Sequence, residues 1–532
     1  MLRAFSVAAV VVACCSAGVA AAAQRPNIVF IFTDDHAQHA ISAYGSRVNR
    51  TPHLDRLAAG GARFANAFVT NSICSPSRAT LLTGQYSHVN GVPVFNRFDG
   101  GRDHLAKRMQ AGGYHTGVVG KWHLGGDPTG FDRWIVLPGQ GDYHDPVFLT
   151  PSGSLSLEGH CTRLTTELGL EFLRTRPRDK PFFLMLHHKA PHRGWEPEEH
   201  HRRRFRDAAP PEPATLFDRY DTRPAALPEN RQTIARDLTR RDLKLAPPEG
   251  LAPKQRQQWL AECPMEVEVD GRILTGEDLV RWKYRRFMQD YLACVQGVDD
   301  GVGQVLDWLD GEGLADDTIV IYTTDNGWYL GDLGLYDKRF MYEPGLRVPL
   351  IARGPGIRAG VAPAELVANI DLAPTILDLA GLPVPESMQG RSLTPLLRGE
   401  SPGDWRTSVY YRYYHDPGHH DTRAHYGVRT ATHKLIHYWK KDAWELFDLV
   451  ADPTEQHNLL FDPEEARMPA VTERRAALEE ELRRLQRQFG DTGLYADPAS
   501  WPPGEVDGGV RGRPTLGRST VAAAIARAEA TP

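Results

Sequence analysis

Two apolar runs of strand length, each followed by adjacent side chains that carry oxygen, most constrain the fold of this chain. The runs cover residues 26–33 and 318–324 and contain many β-branched and aromatic residues. Such a run is typical of a strand buried on both faces of a parallel sheet, and open α/β sheets hold ligands at the carboxyl ends of their strands. The polar side chains that follow the two runs are Asp34, Asp35, Asp325 and Asn326. The pattern predicts an α/β fold with four oxygen ligands at one edge of its sheet.

Oxygen ligands without nitrogen or sulfur suit one hard divalent cation. We expect calcium, with magnesium or manganese as alternatives, although an acidic pair alone is also typical of a polar loop after a strand. Histidines follow a third apolar run, residues 181–186, and could be taken for zinc ligands; they are His187, His188 and His192. We exclude a zinc cluster because no matching set of aspartates and histidines follows the other strands.

A lone cysteine, Cys74, stands two residues before Pro76 and a short apolar run. Proline is tolerated at the first helical position, and Ser75 or Ser77 can satisfy free backbone N–H groups, so the stretch predicts a helix start. The cysteine side chain would then lie at a positive helix N-terminus, which suits an anion. For an arbitrary cysteine, a buried structural role is the more common interpretation.

The order of residues around Cys74 resembles the signature of the type I sulfatases of the alkaline phosphatase superfamily. In that family a dedicated enzyme oxidises the cysteine to formylglycine. The matching stretches are Cys74-Ser75-Pro76-Ser77-Arg78 with Leu82-Thr83-Gly84, then Lys121-Trp122-His123-Leu124-Gly125, Ala190-Pro191-His192, and the run from Tyr336 to Glu343 that contains Lys338. These motifs occur in the family's order and cover nearly all of the chain after the leader, so the resemblance is specific.

The resemblance implies a role for each matching residue. Residues that would hold the cation are Asp34, Asp35, Asp325, Asn326 and the modified Cys74. Arg78 and Lys121 would neutralise the charge of the hydrated aldehyde and the sulfate. His192 would donate a proton to the leaving alcohol with Lys338 on the sulfate, and His123 would take the proton of the second hydroxyl to release sulfate.

The resemblance also implies the architecture. Residues 24–400 are expected to form a large mixed, mostly parallel sheet sandwiched by helices, as in alkaline phosphatase, with an insertion over the sheet edge at about 195–260. Short β-rich segments predict a smaller C-terminal α+β subdomain on an antiparallel sheet at 401–496. Apolar periodicity predicts helices at about 277–309 and 469–489. The Pro- and Gly-rich residues 497–532 are expected to form a mobile tail.

Within the family, the chain looks most like glycan sulfatases of the N-acetylglucosamine-6-sulfatase kind. This implies a sulfated saccharide as substrate, with 6-O-sulfated N-acetylglucosamine or a related sugar expected, and a formylglycine-generating enzyme as partner. Polar residues that could line the sugar pocket are His415, His419, His420, Arg423 and His425. Cations and polar aromatic groups suit a sulfated saccharide, but the same residues are equally compatible with an ordinary surface loop.

Three other functions remain open on the sequence alone. A phosphonate or phosphodiester hydrolase of the same superfamily can share the formylglycine. A catalytically silent glycan-binding relative would keep the fold but would need neither aldehyde nor cation, and the intact motif set argues against it. A hydrolase that uses the thiol of Cys74 with a histidine would leave the four oxygen ligands without a purpose.

Composition limits the partners and the compartment. The chain has 62 basic and 67 acidic residues, a net charge of −5, so it has no global basic field for nucleic acid.

Residues 1–23 combine Arg3, an apolar run and an alanine-rich end, which predicts a signal peptide and a secreted or periplasmic protein; a lipoprotein anchor at Cys14 is the weaker alternative. No later stretch is long enough for an integral membrane span. Without Cys74, three cysteines follow the leader, so at most one internal disulfide can form.

Overall fold

The computed structural model describes residues 25–504 and 513–529 of the 532-residue chain. The signal peptide expected at residues 1–23, with Cys14, lies outside the described residues. Within the described ranges, no helix combines the length and the apolar character needed to cross a membrane. The cysteines in these ranges are all free thiols; they are Cys74, Cys161, Cys263 and Cys294.

The elements alternate along most of the chain. The strands are β1 (Asn27–Thr33), β2 (Ala62–Phe68), β3 (His115–Lys121), β4 (Arg133–Leu137), β5 (Val147–Thr150), β6 (Gly153–Leu157), β7 (Phe182–His187), β8 (Val267–Val269), β9 (Arg272–Leu274), β10 (Thr318–Thr324), β11 (Tyr329–Leu330), β12 (Tyr336–Asp337), β13 (Arg347–Arg353), β14 (Val367–Ala368), β15 (Ser408–Tyr413), β16 (His425–Thr430), β17 (His433–Tyr438), β18 (Ala443–Asp448) and β19 (Thr515–Ser519). The helices are α1 (Pro52–Ala59), α2 (Cys74–Thr83), α3 (Ser87–Asn90), α4 (Leu105–Ala111), α5 (Cys161–Thr175), α6 (Glu199–Phe205), α7 (Ile234–Asp237), α8 (Pro253–Ala261), α9 (Gly276–Gly311), α10 (Glu343–Leu346), α11 (Leu372–Leu379), α12 (Thr394–Leu397), α13 (Pro469–Phe489) and α14 (Val521–Ala526).

Within the described ranges, eleven strands form one sheet in the order β14-β2-β13-β10-β1-β7-β3-β4-β5-β6-β19. The five central strands, from β10 to β4, run parallel to one another. Antiparallel pairs occur further out, where β13 lies between β10 and β2 and where β5 lies between β4 and β6. The predicted mixed, mostly parallel sheet is therefore confirmed.

The central strand β1 has an apolar core on each face because its side chains alternate across the sheet. Val29 and Ile31 pack into one core, to which α5 and α9 contribute. Phe30 and Phe32 pack into the opposite core, to which α2 and α11 contribute. This two-sided burial explains why the strand is apolar at each position from Ile28 to Phe32. Helix α9 confirms the long helix predicted at about 277–309.

The second sheet is antiparallel and consists of β15, β16, β17 and β18 in that order. Helix α13 packs on it through Leu478, Leu482 and Leu485, which are buried in the same apolar core as the strands. These leucines recur at three- and four-residue spacing, which places them on one face of the helix. The predicted antiparallel sheet and the helix at 469–489 are therefore both present.

The insertion at 195–260 packs on helix α9 and on the C-terminal subdomain, whereas we expected it over a sheet edge. Trp195 is fully buried, with its ring centroid 4.7 Å from that of Phe287 on α9. Arg223 forms a buried ion pair with Glu445 of β18 at 3.3 Å. The insertion is poor in apolar periodicity because it contributes isolated anchors to other elements and has no core of its own.

The described part of residues 497–532 corrects the prediction of a mobile tail. Strand β19 pairs in parallel with β6 at the edge of the main sheet. Helix α14 packs against α5 and buries Ala524, Ile525 and Ala528 in the main core. The composition of this segment is typical of disorder. The segment is ordered because β19 pairs with β6 and a few apolar side chains pack into the main core.

Replacing Ile525 with alanine tests this anchoring. We expect a loss of about 3 kcal/mol in the free energy of unfolding, because the substitution leaves a cavity in a packed core. Denaturant unfolding followed by circular dichroism measures the change, and Ala523→Ser on the exposed face of α14 is the matched control. An Ile525→Ala protein that unfolds at the wild-type midpoint would show that the tail contributes nothing to the fold.

Candidate active site

The oxygen ligands predicted at two strand ends lie together. The parallel register pairs Thr33 with Thr324, so the residues that follow β1 and β10 emerge at the same edge of the sheet. Asp35 has a φ of 66°, and its backbone N–H donates to Asp325 Oδ1 at 3.1 Å. One ligand atom from each member of a buried group lies within 4.8 Å of the others; the group is Asp34, Asp35, Cys74 and Asp325.

Helix α2 presents Cys74 to this group from its first position. The preceding Ile73 is extended, and the helix begins at the cysteine itself, two residues earlier than the proline rule predicted. The two serines do not cap the helix: Ser75 Oγ donates to the carbonyl oxygen of His123 at 2.7 Å, and Ser77 Oγ accepts from Asn369 at 3.0 Å. They anchor the helix to neighbouring loops, which fixes the position of residue 74.

Two buried cations compensate two of the carboxylates. Arg78 donates to Asp325 Oδ2 through Nε at 3.1 Å and through a terminal nitrogen at 2.9 Å, so two N–H groups converge on one carboxylate oxygen. The same guanidinium donates to the carbonyl oxygen of Lys121 at 2.7 Å. The ammonium group of Lys121 in turn contacts Asp34. Because an unpaired buried charge is costly, these pairs hold the strand ends and α2 in one arrangement.

Lys338 contacts Asp35, and its Nζ lies 3.2 Å from Cys74 Sγ. Burial raises the pKa of the Cys74 thiol to about 12, although Lys338 opposes the change. A thiol with this pKa is a poor nucleophile near neutral pH, because only the thiolate attacks efficiently. The burial of this thiol therefore argues against the cysteine hydrolase that remained open on the sequence.

The chemistry of the donor set fits a hard divalent cation. Asp35 Oδ2 and Asn326 Oδ1 are buried and have no hydrogen-bond partner among residues 25–504 and 513–529. Burial raises the pKa of Asp35 to about 7; Lys338 opposes this effect, and the charge of Asp325 adds to it. Oxygen atoms that are buried without partners and carboxylates that repel one another are both stabilised by a shared cation.

Two histidines flank the group. His123 follows β3 with a φ of 51°, and its Nδ1 lies 3.5 Å from Ser75 Oγ. His192 Nε2 lies 3.7 Å from Asp35 Oδ2. Burial, followed by the charges of Lys121 and Lys338, holds the pKa of His192 well below its usual range. An anion bound beside the two lysines would offset their charge and raise the proton affinity of this imidazole.

A cavity of about 570 Å³ opens above Cys74. Its volume lies in the range of small-molecule sites. Among the predicted site residues, those that line it are Asp35, Cys74, His192, Lys338, His415, His419 and His420. Cys74 and part of the loop that we expected to contact a sugar therefore line the same cavity.

Two residues predicted to contact the sugar lie away from the cavity, which corrects that part of the prediction. His425 is the first residue of β16, and strand alternation turns its ring into the core, 5.7 Å from the ring of Phe340. Its Nε2 accepts from the backbone N–H of Met341 at 3.1 Å. Arg423 instead pairs with Glu229 of the insertion at 2.9 Å.

Other cavity residues were missed at the sequence level. Asp337 and Arg339 flank Lys338, form an ion pair at 2.7 Å and have φ values of 78° and 90°. His420 Nε2 lies 2.9 Å from Asp337 Oδ2, and its Nδ1 contacts Asp237 of the insertion. Burial lowers the pKa of His420, but these two carboxylates outweigh burial and raise it. Adjacency to Lys338 was the only sequence signal for Asp337 and Arg339. The contacts of His420 depend on how separate loops pack against one another.

Comparisons with known proteins identify the family. The model of the family "Sulfatase" matches residues 26–382, and the model "N-sulphoglucosamine sulphohydrolase, C-terminal" matches residues 331–488. An N-acetylglucosamine-6-O-sulfatase of Bacteroides thetaiotaomicron is 41% identical over 88% of this chain and 87% of its own length. Human N-acetylglucosamine-6-sulfatase is 30% identical over 74% of this chain and 68% of its own length.

Solved structures agree with these matches. A protein solved in complex with its substrate D-glucosamine-2-N,6-O-disulfate superimposes with a TM-score of 0.81 at 40% identity, covering 88% of this chain and 99% of that one. A phosphonate monoester hydrolase of Agrobacterium radiobacter shares the fold, with a TM-score of 0.66 at 24% identity over 87% of this chain and 96% of that one. With the predicted motifs assembled in one buried site, the chain belongs to the sulfatase family and is a sulfuric ester hydrolase of the alkaline phosphatase-like fold.

Proposed function

We propose that this protein removes the 6-O-sulfate from N-acetylglucosamine or a related glucosamine of a sulfated glycan. The observation that carries the proposal is the position of Cys74, which lines the cavity among buried acidic oxygens and the cation Lys338. A negatively charged sulfate ester needs cations at the reacting end, and a saccharide needs polar and aromatic groups at the open end. This cavity provides both.

We further propose that Cys74 is converted to formylglycine by a formylglycine-generating enzyme. In its hydrated form that group supplies the hydroxyl that attacks sulfur. Lys338, which lines the cavity, and Lys121, which contacts Asp34, would pair with the sulfate charge, and Arg78 would keep Asp325 in place by donating two N–H groups to one of its oxygens. His192 holds a proton for the leaving alcohol, since a neighbouring sulfate raises its proton affinity.

We propose calcium as the cation, because the donor set is made of oxygens and offers several ligands to one hard ion. The residues that would hold it are Asp34, Asp35, Asp325, Asn326 and residue 74. Calcium accepts irregular geometry, whereas magnesium demands a near-ideal octahedron. When bound by these residues, such a cation would lower the proton affinity of an oxygen on residue 74.

The choice of substrate is supported by the named activities of the relatives and by the lining of the cavity. The relatives include N-acetylglucosamine-6-sulfatases, and the solved structure at 40% identity holds a glucosamine with both N- and 6-O-sulfate. His415, His419 and His420 line the open side of the cavity, where a sugar would lie. Removal of sulfate from such sugars outside the cytoplasm would agree with the signal peptide expected at residues 1–23, and we propose a secreted or periplasmic protein.

A regioselective assay tests the proposal. We expect the purified enzyme to convert glucosamine-2-N,6-O-disulfate to a product that retains its N-sulfate, and to release sulfate from N-acetylglucosamine-6-sulfate. Ion chromatography measures sulfate, and nuclear magnetic resonance of the product locates the remaining group. N-sulfoglucosamine without a 6-O-sulfate is the matched control and is expected to stay intact.

Inactivity on these 6-O-sulfated sugars, together with turnover of a steroid or choline sulfate, would contradict the proposed substrate. A rate comparison between a sulfate ester and the corresponding phosphate ester on one enzyme preparation separates the sulfatase from a phosphate-ester hydrolase of the same fold.

A further inference from the structure

The segment of residues 497–504, here called the C-terminal strap, contributes directly to the cavity above Cys74. Trp501, Pro502 and Gly504 line it together with His415, His419 and His420. The strap lies beyond both regions matched by the family models, which end at residues 382 and 488. Part of the cavity wall is therefore built by a segment outside those two regions.

The strap is held in one conformation by its own hydrogen bonds. Asp497 accepts from the backbone N–H of Ala499 at 2.9 Å, and the N–H of Trp501 donates to the carbonyl oxygen of Pro498 at 3.1 Å. The indole N–H of Trp501 donates to the carbonyl oxygen of Tyr495 at 3.1 Å. The polar atom of the indole is thus satisfied by the residue two positions before the strap, and the ring serves as an apolar surface.

The C-terminal end of the strap is tied to the body of the protein. The carbonyl oxygen of Gly504 accepts from the N–H of Arg97 at 3.3 Å, and further along the chain β19 and α14 pack into the main domain. The ring of Trp501 lies 4.6 Å from that of His415, at an angle of 67°. His415 itself lines the cavity, so the tryptophan stands beside a group already assigned to the sugar end.

The exposure of the aromatic rings in the cavity wall distinguishes Trp501 from Trp328. Trp328 is buried, with Lys338 Nζ 5.3 Å from its ring centroid, so its surface is already covered. Trp501 and Phe95 are only partly buried. A pyranose ring presents axial C–H groups on its faces, and a flat aromatic surface buries them while leaving the hydroxyls to polar partners.

We infer that Trp501 is a specificity-determining residue that packs against the face of the sugar ring, so that the C-terminal strap completes the saccharide site. This inference rests on the proposed function, because it concerns the sugar that carries the sulfate ester. The indole of Trp501 contacts the sugar ring, which is the part of the substrate that does not react. Loss of the ring should therefore weaken substrate binding more than it slows the chemical step.

The experiment compares Trp501→Ala with the wild-type enzyme on N-acetylglucosamine-6-sulfate. We expect KM to rise about tenfold, the size of one aromatic contact, with kcat changed by less than about twofold. Inhibition by inorganic sulfate should be unchanged, because sulfate binds at the lysines and away from the strap. Trp501→Phe keeps an aromatic ring and should recover most of the loss.

Trp259→Ala is the matched control, because Trp259 stacks on Arg240 at 4.8 Å in the insertion and does not line the cavity above Cys74. An unchanged KM in Trp501→Ala, or an equal weakening of sulfate inhibition that signals general distortion of the site, would overturn the inference. If Trp501→Ala does not fold, an unchanged KM in Trp501→Phe together with an unchanged KM in Trp501→Leu overturns it.

The same assay separates the two proposals. Wild-type turnover of the sugar tests the proposed function, whereas the ratio of KM values between variant and wild type tests the role of Trp501. If the wild type hydrolyses a different sulfated saccharide, the ratio is measured on that saccharide. Hydrolysis of non-sugar sulfates alone would overturn both.

Discussion

Cys74→Ala is expected to abolish sulfate release, with a fall in kcat of about ten-thousandfold or more, the size typical of a lost nucleophile. The side chain of residue 74 lines the cavity beside Asp34, Asp35 and Asp325. After its removal, a free water molecule would not be held in the same position to replace it. Steady-state kinetics on N-acetylglucosamine-6-sulfate measures the loss. Mass spectrometry of the active wild-type enzyme should find the peptide of residue 74 without its sulfur.

Cys263→Ala is the matched control for this substitution, since Cys263 is a free, half-buried thiol shortly after the insertion and does not line the cavity above Cys74. It should keep wild-type turnover. A wild-type protein that is fully active while every copy retains the Cys74 thiol would overturn the role proposed for formylglycine.

Asp325→Ala is expected to have the second largest effect, a loss of about a thousandfold or more in kcat, as for other removed charges that stabilise a transition state. The substitution takes one oxygen from the proposed cation site and leaves the Arg78 guanidinium buried without the carboxylate oxygen that accepts two of its N–H groups. Breaking a buried pair in this way also costs about 3–5 kcal/mol of stability. Kinetics before and after dialysis against a chelator, with calcium added back, measures the effect on cation dependence.

Asp325→Asn keeps the shape of the side chain and separates loss of charge from loss of packing. Asp404→Asn is the matched control, because Asp404 pairs with Arg391 at 2.8 Å on the surface. A hydrolase that used the Cys74 thiol with a histidine would retain turnover in Asp325→Asn, and its kcat would be unchanged after dialysis against the chelator. That result would remove the cation from the mechanism.

Much of the fold could be predicted because it is encoded locally. The apolar run of β1 indicates burial on both faces, and the structure places a core on each side of it. The periodicity of α9 and α13 indicates helices whose bounds differ from the prediction by two residues or fewer. These patterns are visible in the sequence because each residue of a helix or a central strand must suit the face on which it lies.

The site could be predicted only where short motifs carry it. Asp34, Asp35, Asp325 and Asn326 follow strands whose parallel pairing brings them together, and the family resemblance supplied the lysines and histidines. His425 was misplaced because one step of strand register decides which face a side chain takes, and no local pattern revealed that step. One carboxylate partner of His420, Asp237, comes from the insertion, and the other, Asp337, comes from the loop that contains Lys338.

The sequence by itself determined the sulfatase family, the sheet class and the acidic residues around Cys74, because these depend on strand-end chemistry and on contiguous motifs. Only the tertiary structure decided that residues 513–529 join the main domain, that Trp501 lines the cavity and that Arg423 does not. These outcomes depend on contacts between segments hundreds of residues apart. Such contacts are selected by shape and register after the core has formed, and they leave no periodic trace in composition.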